Sequence, residues 1–452
     1  MKQDGLFNDL PETAASDECA AEGKPRLLEP VRDQIELRAV DLESLIGQDH
    51  AARLIWAYVV TLNLLELENA IKSREGRPGH PAITPRLLLA LWLYATSQGV
   101  GSARALERQC KSEDAYRWLC GGVGVNYHTL ANFRVDHGEL LDRLLAENVA
   151  ALEQAGVIDL STLAQDGIRV RAAAGAASFR RRGRLELHLA RAAEVVEQLK
   201  REVHDDPAAS SKRVRAARER AARERAERVA RALAQLGEVE RIRQKREKKN
   251  RKQTEKQKEP RASTTDPEAR TMKMADGGFR PAYNVQVASV AGEQIVVAVE
   301  PNNVGSDRGQ IGPMLDEVEE RGHLPERYLA DGGFDSAKDI EQAHEEKVAI
   351  YCPPTRSKHG NDPFAPRPTD GPGVRAWRQR MASEEGKKLY KTRSICECIH
   401  ARWRNWNLIR LTVRGLPKVK TVMLWYALAN NVLQGARMMQ AAQGARMVPA
   451  AA

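Results

Sequence analysis

From Phe179 to about Pro260 the chain is written almost wholly in Arg, Glu, Ala and Lys, too poor in large apolar residues to fill a core. Two long helices are expected there, LHLARAAEVVEQLKREV and VRAARERAARERAERVARALAQLGEVERIRQKREKK, folded as an antiparallel hairpin that turns at Asp205–Ser211. Any packed core must then be assembled from the segments on either side. The charge is concentrated in the same place. Between Arg180 and Glu259 stand 26 Lys and Arg against 14 Asp and Glu, a net of +12 in a chain whose overall net is +10. The remainder therefore carries about −2. Such a run reads either as a solvated helical face or as an arm lying along a polyanion.

The flanks differ from each other. Residues 1–50 are acidic and mixed, a partly ordered leader. From Ala51 to about Gly156 apolar residues recur at helical spacing, as in WAYVVTLNLLELENAI and PRLLLALWLYATSQGV, with Pro85 placed where a helix can begin. Tyr127–His137 would supply the recognition helix of a helix-turn-helix, exposing His128, Thr129, Asn132 and Arg134 on one side. An ordinary helical bundle with those residues facing solvent fits the same pattern.

Strand-like sequence opens at VIDLSTLAQDGIRVRAAAG, where Ile158–Val170 reads as one long strand or a strand pair. Beyond the charged run, RPAYNVQVASV and EQIVVAVEPNN alternate and form a hairpin at Ala291–Gly292. A helix, a short strand ending at Asp331, a helix, the strand VAIYCPP and a loop over 353–375 follow. One long helix is expected from about Gly373 to Leu411, and an apolar helix, KTVMLWYALANNVLQGARM, comes last. This order predicts a mixed α/β layered fold. Its centre would be an RNase H-like core, interrupted after its first strand by the charged helical hairpin and preceded by an all-helical N-terminal domain. The expected boundaries are 1–50, 51–157, 158–178, 179–262, 263–437 and a flexible tail at 438–452.

With 42% hydrophobic residues in 452, a sizeable core is within reach. The six cysteines (Cys19, Cys110, Cys120, Cys352, Cys396 and Cys398) include no CxxC pair and read as reduced thiols of a cytoplasmic protein. MKQDGLFNDL is not expected to act as a secretory leader, and no run approaches 18 apolar residues, so no membrane span is expected.

Three carboxylates stand out. Asp166 follows an apolar strand beside a glycine, and Asp331 ends RYLA before Gly332 and Gly333. Either could be a simple turn residue, or a ligand projecting beyond a sheet edge. On the late helix Tyr390, Arg393, Glu397 and Arg404 fall at about 0°, 300°, 340° and 320°, a sector of roughly 60°. That stripe is either an intrahelical ladder, Arg393 with Glu397, or a phosphate-handling face around a carboxylate. Phosphodiester cleavage requires oxygen ligands for two Mg²⁺ ions roughly 3.5–4 Å apart, which three such carboxylates could supply.

The stripe, Y-KT-R-SIC-E-CIHARW-R, resembles the Y-(2)-R-(3)-E-(6)-K/R signature of the DDE transposases of bacterial insertion sequences, with Arg404 in the final basic place. AQDGIRVRAAAG is similar to that family's first-aspartate motif, YLADGGFDS to its second, and DPEARTMKMADGGFRPAYNVQVA to the stretch before its second and third strands. The resemblance covers about residues 50–435. It implies that Asp166, Asp331 and Glu397 bind two Mg²⁺ ions, with Mn²⁺ able to substitute, and that Tyr390, Arg393 and Arg404 contact DNA. It further implies a transposase that binds the double-stranded ends of its element and cuts and joins DNA. A homodimer or higher oligomer in a synaptic complex, associated with the nucleoid, is implied as well. A non-catalytic DNA-binding or architectural relative, and a nuclease that cuts without joining, are the competing readings.

Overall fold

The computed structural model describes residue 39 and residues 41–76, 80–205, 212–249, 259–355 and 362–447. The expected leader up to Arg38, the hairpin turn at 206–211 and the last five residues lie outside the described residues.

Seven helices come first: α1 (Ala51–Thr61), α2 (Leu65–Ala70), α3 (Pro85–Ser97), α4 (Ala103–Ser112), α5 (Asp114–Cys120), α6 (Tyr127–Asp136) and α7 (Gly138–Gln154). Their limits follow local chemistry. Pro85 opens α3, where its missing N–H would have had no partner in any case. Ser102 and Asn126 cap α4 and α6 by accepting from the backbone N–H groups of Ala105 and Thr129. Gly121, at φ +53°, closes α5 in the left-handed conformation that a side chain disfavours.

The expected β-segment after α7 is one strand, β1 (Thr162–Arg171). Next come β2 (Phe179–Arg180) and the charged helices α8 (Arg182–Asp205) and α9 (Lys212–Lys249). Near the foot of this pair, Leu185 packs with Val229, Ala232, Leu236 and Ala262 in a small apolar cluster. Arg182, at the start of α8, pairs with Glu240 late in α9, so the two helices run in opposite directions. The rest of the chain supplies β3 (Ala262–Ser263), β4 (Arg270–Lys273), β5 (Phe279–Val290), β6 (Val296–Asn302), α10 (Ile311–Glu319), β7 (Arg327–Ala330), α11 (Ala337–Glu345) and β8 (Ala349–Tyr351). It ends with α12 (Pro372–Ala382), α13 (Glu384–Lys391), α14 (Ile395–Asn405) and α15 (Leu416–Met447). Among the described residues no helix is long and apolar enough to cross a membrane.

The architecture is mixed α/β. In the main sheet β1 pairs antiparallel with β5 and parallel with β7, and β8 continues parallel beyond β7. The other edge of β5 takes β4 and β6, both antiparallel, with a register shift at Ala288/Ser289. Successive strand residues point to opposite faces, so each face can recruit its own helices. Leu163, Tyr328 and Ile350 pack with Met314 of α10, Ile340 of α11 and Trp377 of α12. Ala164 and Leu329 pack with Cys396 of α14.

The single helix expected over 373–411 is divided into three. Ser383 is extended and caps α13, its hydroxyl accepting from Gly386 N–H at 3.0 Å. The Gly386 backbone lies so close to the Arg380 carbonyl that any Cβ there would collide with it. A 3₁₀ turn at Thr392–Ser394 then separates α13 from α14. The backbone stays right-handed through that turn, and Arg393 and Glu397 still meet at i,i+4 spacing, 3.4 Å apart. The approach of Asp166 and Asp331 to Arg393 has a tertiary cause.

The helical segment and the sheet share one apolar core. Leu89, Trp92 and Phe133 belong to the same cluster as Val285, Val299, Trp403 and Trp425. Helix α15 links the two parts: Trp425 Nε1 donates to the Arg134 carbonyl at 2.9 Å, and Asn431 bonds both backbone groups of Val296. The expected flexible tail begins inside this helix, which continues to Met447.

Arg134 corrects one expectation. It is not exposed on α6 but only 7% accessible, beneath Gly101 and over Trp92. Its guanidinium donates to the Gly101 carbonyl and, at 3.0 Å, to Thr412 Oγ1, while burial pulls its pKa down to about 10. The helical register places Leu130, Phe133 and Arg134 on the inward side of α6. Arg134→Ala should therefore act on the fold, lowering unfolding free energy by about 2 kcal/mol through lost charge-assisted hydrogen bonds. Denaturant titration checks this, and an unchanged midpoint would contradict it.

Candidate functional site

The sheet register sets the site. Gln165↔Ala330 is the last pair between β1 and β7, so Asp166 and Asp331 follow it at the same level on neighbouring parallel chains. Asp166 does not end its strand, because β1 runs on to Arg171 paired with β5. It stands where the second partner is lost, which opens one side of its carboxylate. Gly167 N–H donates to Asp166 Oδ1 at 2.9 Å, and Gly332 N–H donates to Asp331 Oδ1 at 2.8 Å.

Glu397 comes from the first turn of α14, which Cys396 anchors to the sheet. The Cys396 thiol is buried, 3.1 Å from Ser289 Oγ, and burial pushes its pKa up to about 11. Cys398, on the other side of Glu397, is exposed rather than packed.

Arg393 stands at the centre. Its Nη1 lies 3.7 Å from Asp166 Oδ2, and its Nη2 lies 3.9 Å from Asp331 Oδ1 and 3.4 Å from Glu397 Oε1. The three carboxylates thus surround one guanidinium. The Tyr390 hydroxyl donates to Asp331 Oδ1 at 3.3 Å, and its ring lies beside the Arg393 guanidinium. Arg404 is about two turns beyond Glu397 on α14, in a cavity of about 390 Å³ that it shares with Gly167, Arg169, Asp276 and Arg280. His128 and Asn132 are exposed on α6 and Thr129 is half-buried; none of the three joins this ring.

Electrostatics follow from burial. Desolvation pushes the Asp166 carboxyl up to about 6; Arg393 and the Gly167 N–H oppose this, while Asp331 and Asp307 reinforce it. Arg393 is held above its ordinary value: burial works against its charge, but Tyr390, Asp166 and Asp331 outweigh burial. A half-buried carboxylate this expensive to ionise calls for a positive partner, and Arg393 is the one on hand.

The sequence reading missed two neighbours. His400 Nδ1 lies 3.5 Å from Asp166 Oδ2, its Nε2 is buried without a partner among the described residues, and burial, then Arg404 and Arg393, pull its pKa down to about 4. A signal existed, since His400 is three residues after Glu397 and seven after Arg393. Asp307 gave none. It reaches the site from a loop, accepting from Asn284 Nδ2 at 2.7 Å and Gln286 Nε2 at 3.1 Å, and meeting Arg169 at 3.3 Å. A Cβ at position 167 would press on Asp307 and Gln286, so glycine is what permits this approach.

As a donor set, Asp166, Asp331 and Glu397 offer only hard oxygens, which suit Mg²⁺ or Mn²⁺ better than softer metals. The side chains of Asp331 and Glu397 are 56% and 65% exposed, leaving room for water and phosphate oxygens. Among the described residues no group of three or more His, Cys, Asp or Glu side chains is placed to hold a metal ion. Mg²⁺ does not require one, since it is commonly held by one or two carboxylates together with substrate phosphates. The donor chemistry of the three carboxylates suits such an ion.

Comparison with known families gives two matches. Residues 241–432 match the family described as Transposase DDE domain, and residues 40–136 match Transposase domain (DUF772). Asp331, Tyr390, Arg393, Glu397 and Arg404 fall in the first match, whereas Asp166 falls in neither. No curated protein and no solved structure matches the chain.

Proposed function

The chain belongs to the DDE transposases of insertion sequences, and from that premise we propose that it binds the ends of its element and catalyses metal-dependent DNA cleavage and strand transfer. The observation that carries this reading is the ring of Asp166, Asp331 and Glu397 around Arg393. The three carboxylates are the ligands of two divalent cations. The order β6-β5-β1-β7-β8, with three antiparallel strands followed by two parallel ones, supports an RNase H-like core. In this reading residues 158–178 and 263–437 form that core, 179–262 is an insertion and 51–157 binds DNA. The protein works on double-stranded ends and target as a homodimer or higher oligomer.

When bound, the ions supply an activated oxygen nucleophile and neutralise the leaving oxyanion. The chain's own groups do the rest. Tyr390 fixes the Asp331 carboxylate through its hydroxyl, and His400 faces the Asp166 carboxylate through Nδ1. Arg393 holds the three carboxylates together in spite of their mutual repulsion. Arg404, with Arg169 and Arg280 around the cavity beside Gly167, offers a basic wall to the phosphates flanking the scissile bond.

The test is a nicking and joining assay with the full chain and a duplex ending in the element's inverted repeat. With Mg²⁺ or Mn²⁺ we expect a nick at the element end, and transfer of a pre-cut 3′-hydroxyl end into target DNA; chelation should stop both. Binding without nicking in either metal would overturn the catalytic reading in favour of an architectural DNA-binding protein. Nicking without joining would leave a nuclease.

A further inference from the structure

A second basic feature lies at the foot of the charged helices and shares no residue with the acidic ring. There a cleft of about 460 Å³ is lined by Arg180, His188, Arg225, Arg228 and Arg414, with Thr264 and Thr265 at its side. Its parts are far apart in sequence: β2 and α8 give one wall, α9 another, and the segments after β3 and before α15 the remainder. No Asp or Glu among the described residues lines it. Among the described residues Arg180, Arg225 and Arg414 have no carboxylate within ion-pair distance, and Arg228 has only Glu224, at 3.9 Å. Some other arginines of these helices are paired, as Arg182 is with Glu240 and Arg223 with Glu219. His188 is held below its ordinary value by burial and then by Arg225, Arg180, Arg191 and Arg184. Like charges gathered around one opening repel one another unless an anion enters it.

We propose that this cleft holds the phosphodiester backbone of double-stranded DNA, at a contact separate from the acidic ring. The inference rests on the reading of the chain as a DNA-binding transposase and adds a specific site to it. Guanidinium groups present paired donors that match phosphate oxygens, and threonine hydroxyls supplement them. A run of phosphates is the ligand class because the cleft continues into a neighbouring groove of about 600 Å³ between α8 and α9. The two share His188, Arg225 and Arg228, and the groove adds Arg191 and Arg218 beside apolar Ala192, Val195, Leu199, Ala221 and Ala222. A single small anion in the cleft would leave Arg191 and Arg218 unanswered.

The experiment compares the full chain with the double variants Arg225→Ala/Arg414→Ala and Arg225→Lys/Arg414→Lys, measuring affinity for an element-end duplex at several salt concentrations. Each lost phosphate contact should flatten the slope of log K against log salt by about 0.9. The alanine pair should therefore flatten it by roughly one to two and weaken low-salt binding by about tenfold or more, while the lysine pair keeps most of the slope. Equal slopes for the parent and the alanine pair would overturn the cleft assignment while leaving the transposase reading in place. Unchanged DNA affinity with an altered oligomeric state would overturn it in favour of a second copy of the chain. A parent protein with no duplex affinity would overturn the DNA-binding reading itself. Both variants are checked for an unchanged thermal midpoint; if the alanine pair lowers it, Arg225→Gln/Arg414→Gln takes its place with the same flattening expected.

Discussion

Asp331→Asn is expected to reduce metal-dependent nicking of an element-end duplex by about three orders of magnitude, equivalent to ~4 kcal/mol of barrier. Asparagine conserves the shape of the group and two of its contacts. The Gly332 N–H and the Tyr390 hydroxyl can both still donate to the remaining carbonyl oxygen. What disappears is a negative charge and one oxygen ligand, at a side chain that is already 56% exposed. Stability should accordingly move by no more than about 0.5 kcal/mol, and end binding should stay within a few-fold of the parent. The comparison is a single-turnover nicking assay beside a binding isotherm on the same duplex. Equal nicking by the two proteins would remove Asp331 from the catalytic set.

The second large effect concerns the fold. Trp425→Ala should cost about 3–5 kcal/mol, because a large buried ring is replaced by a cavity. The indole is wholly buried in α15, near Phe133, and its N–H satisfies the Arg134 carbonyl across a long sequence separation. Domains commonly hold only about 5–15 kcal/mol in reserve, so the loss should be large in chemical denaturation. Since the helical segment and the sheet share this core, both should lose stability together. Hydrogen exchange can follow amides of α3 and of β5 separately. Protection lost in α3 alone, with β5 unaffected, would show that the two parts fold independently.

Much of the secondary structure was legible because it rests on local rules. Alternation in RPAYNVQVASV and EQIVVAVEPNN, a helical period in PRLLLALWLYATS and the shortage of apolar residues in α8 and α9 are all short-range facts. The break at Ser383 was not legible, because helical residues occupy both sides and its cause is the close passage of Gly386 against Arg380. Arg134 misled for a related reason. A polar residue on an amphipathic helix normally faces water, but here Gly101 and Thr412 supply acceptors at depth.

The candidate site divides in the same way. Asp166, Asp331 and Glu397 were singled out by the sequence alone, from strand-end glycines and from the spacing of Tyr390, Arg393 and Arg404. That reading assumed one long helix; the chain breaks it at Ser383 and tightens it to a 3₁₀ turn at Thr392–Ser394, while Arg393 and Glu397 keep their i,i+4 contact. Only the folded chain decided that Arg393 lies among all three carboxylates, that His400 and Asp307 stand beside them, and that Arg414 meets Arg225 in one cleft. The physical reason is range. Residue type and periodicity specify what a segment buries and where it turns, while charge neighbourhoods depend on strand register and on contacts between residues separated by many tens of positions.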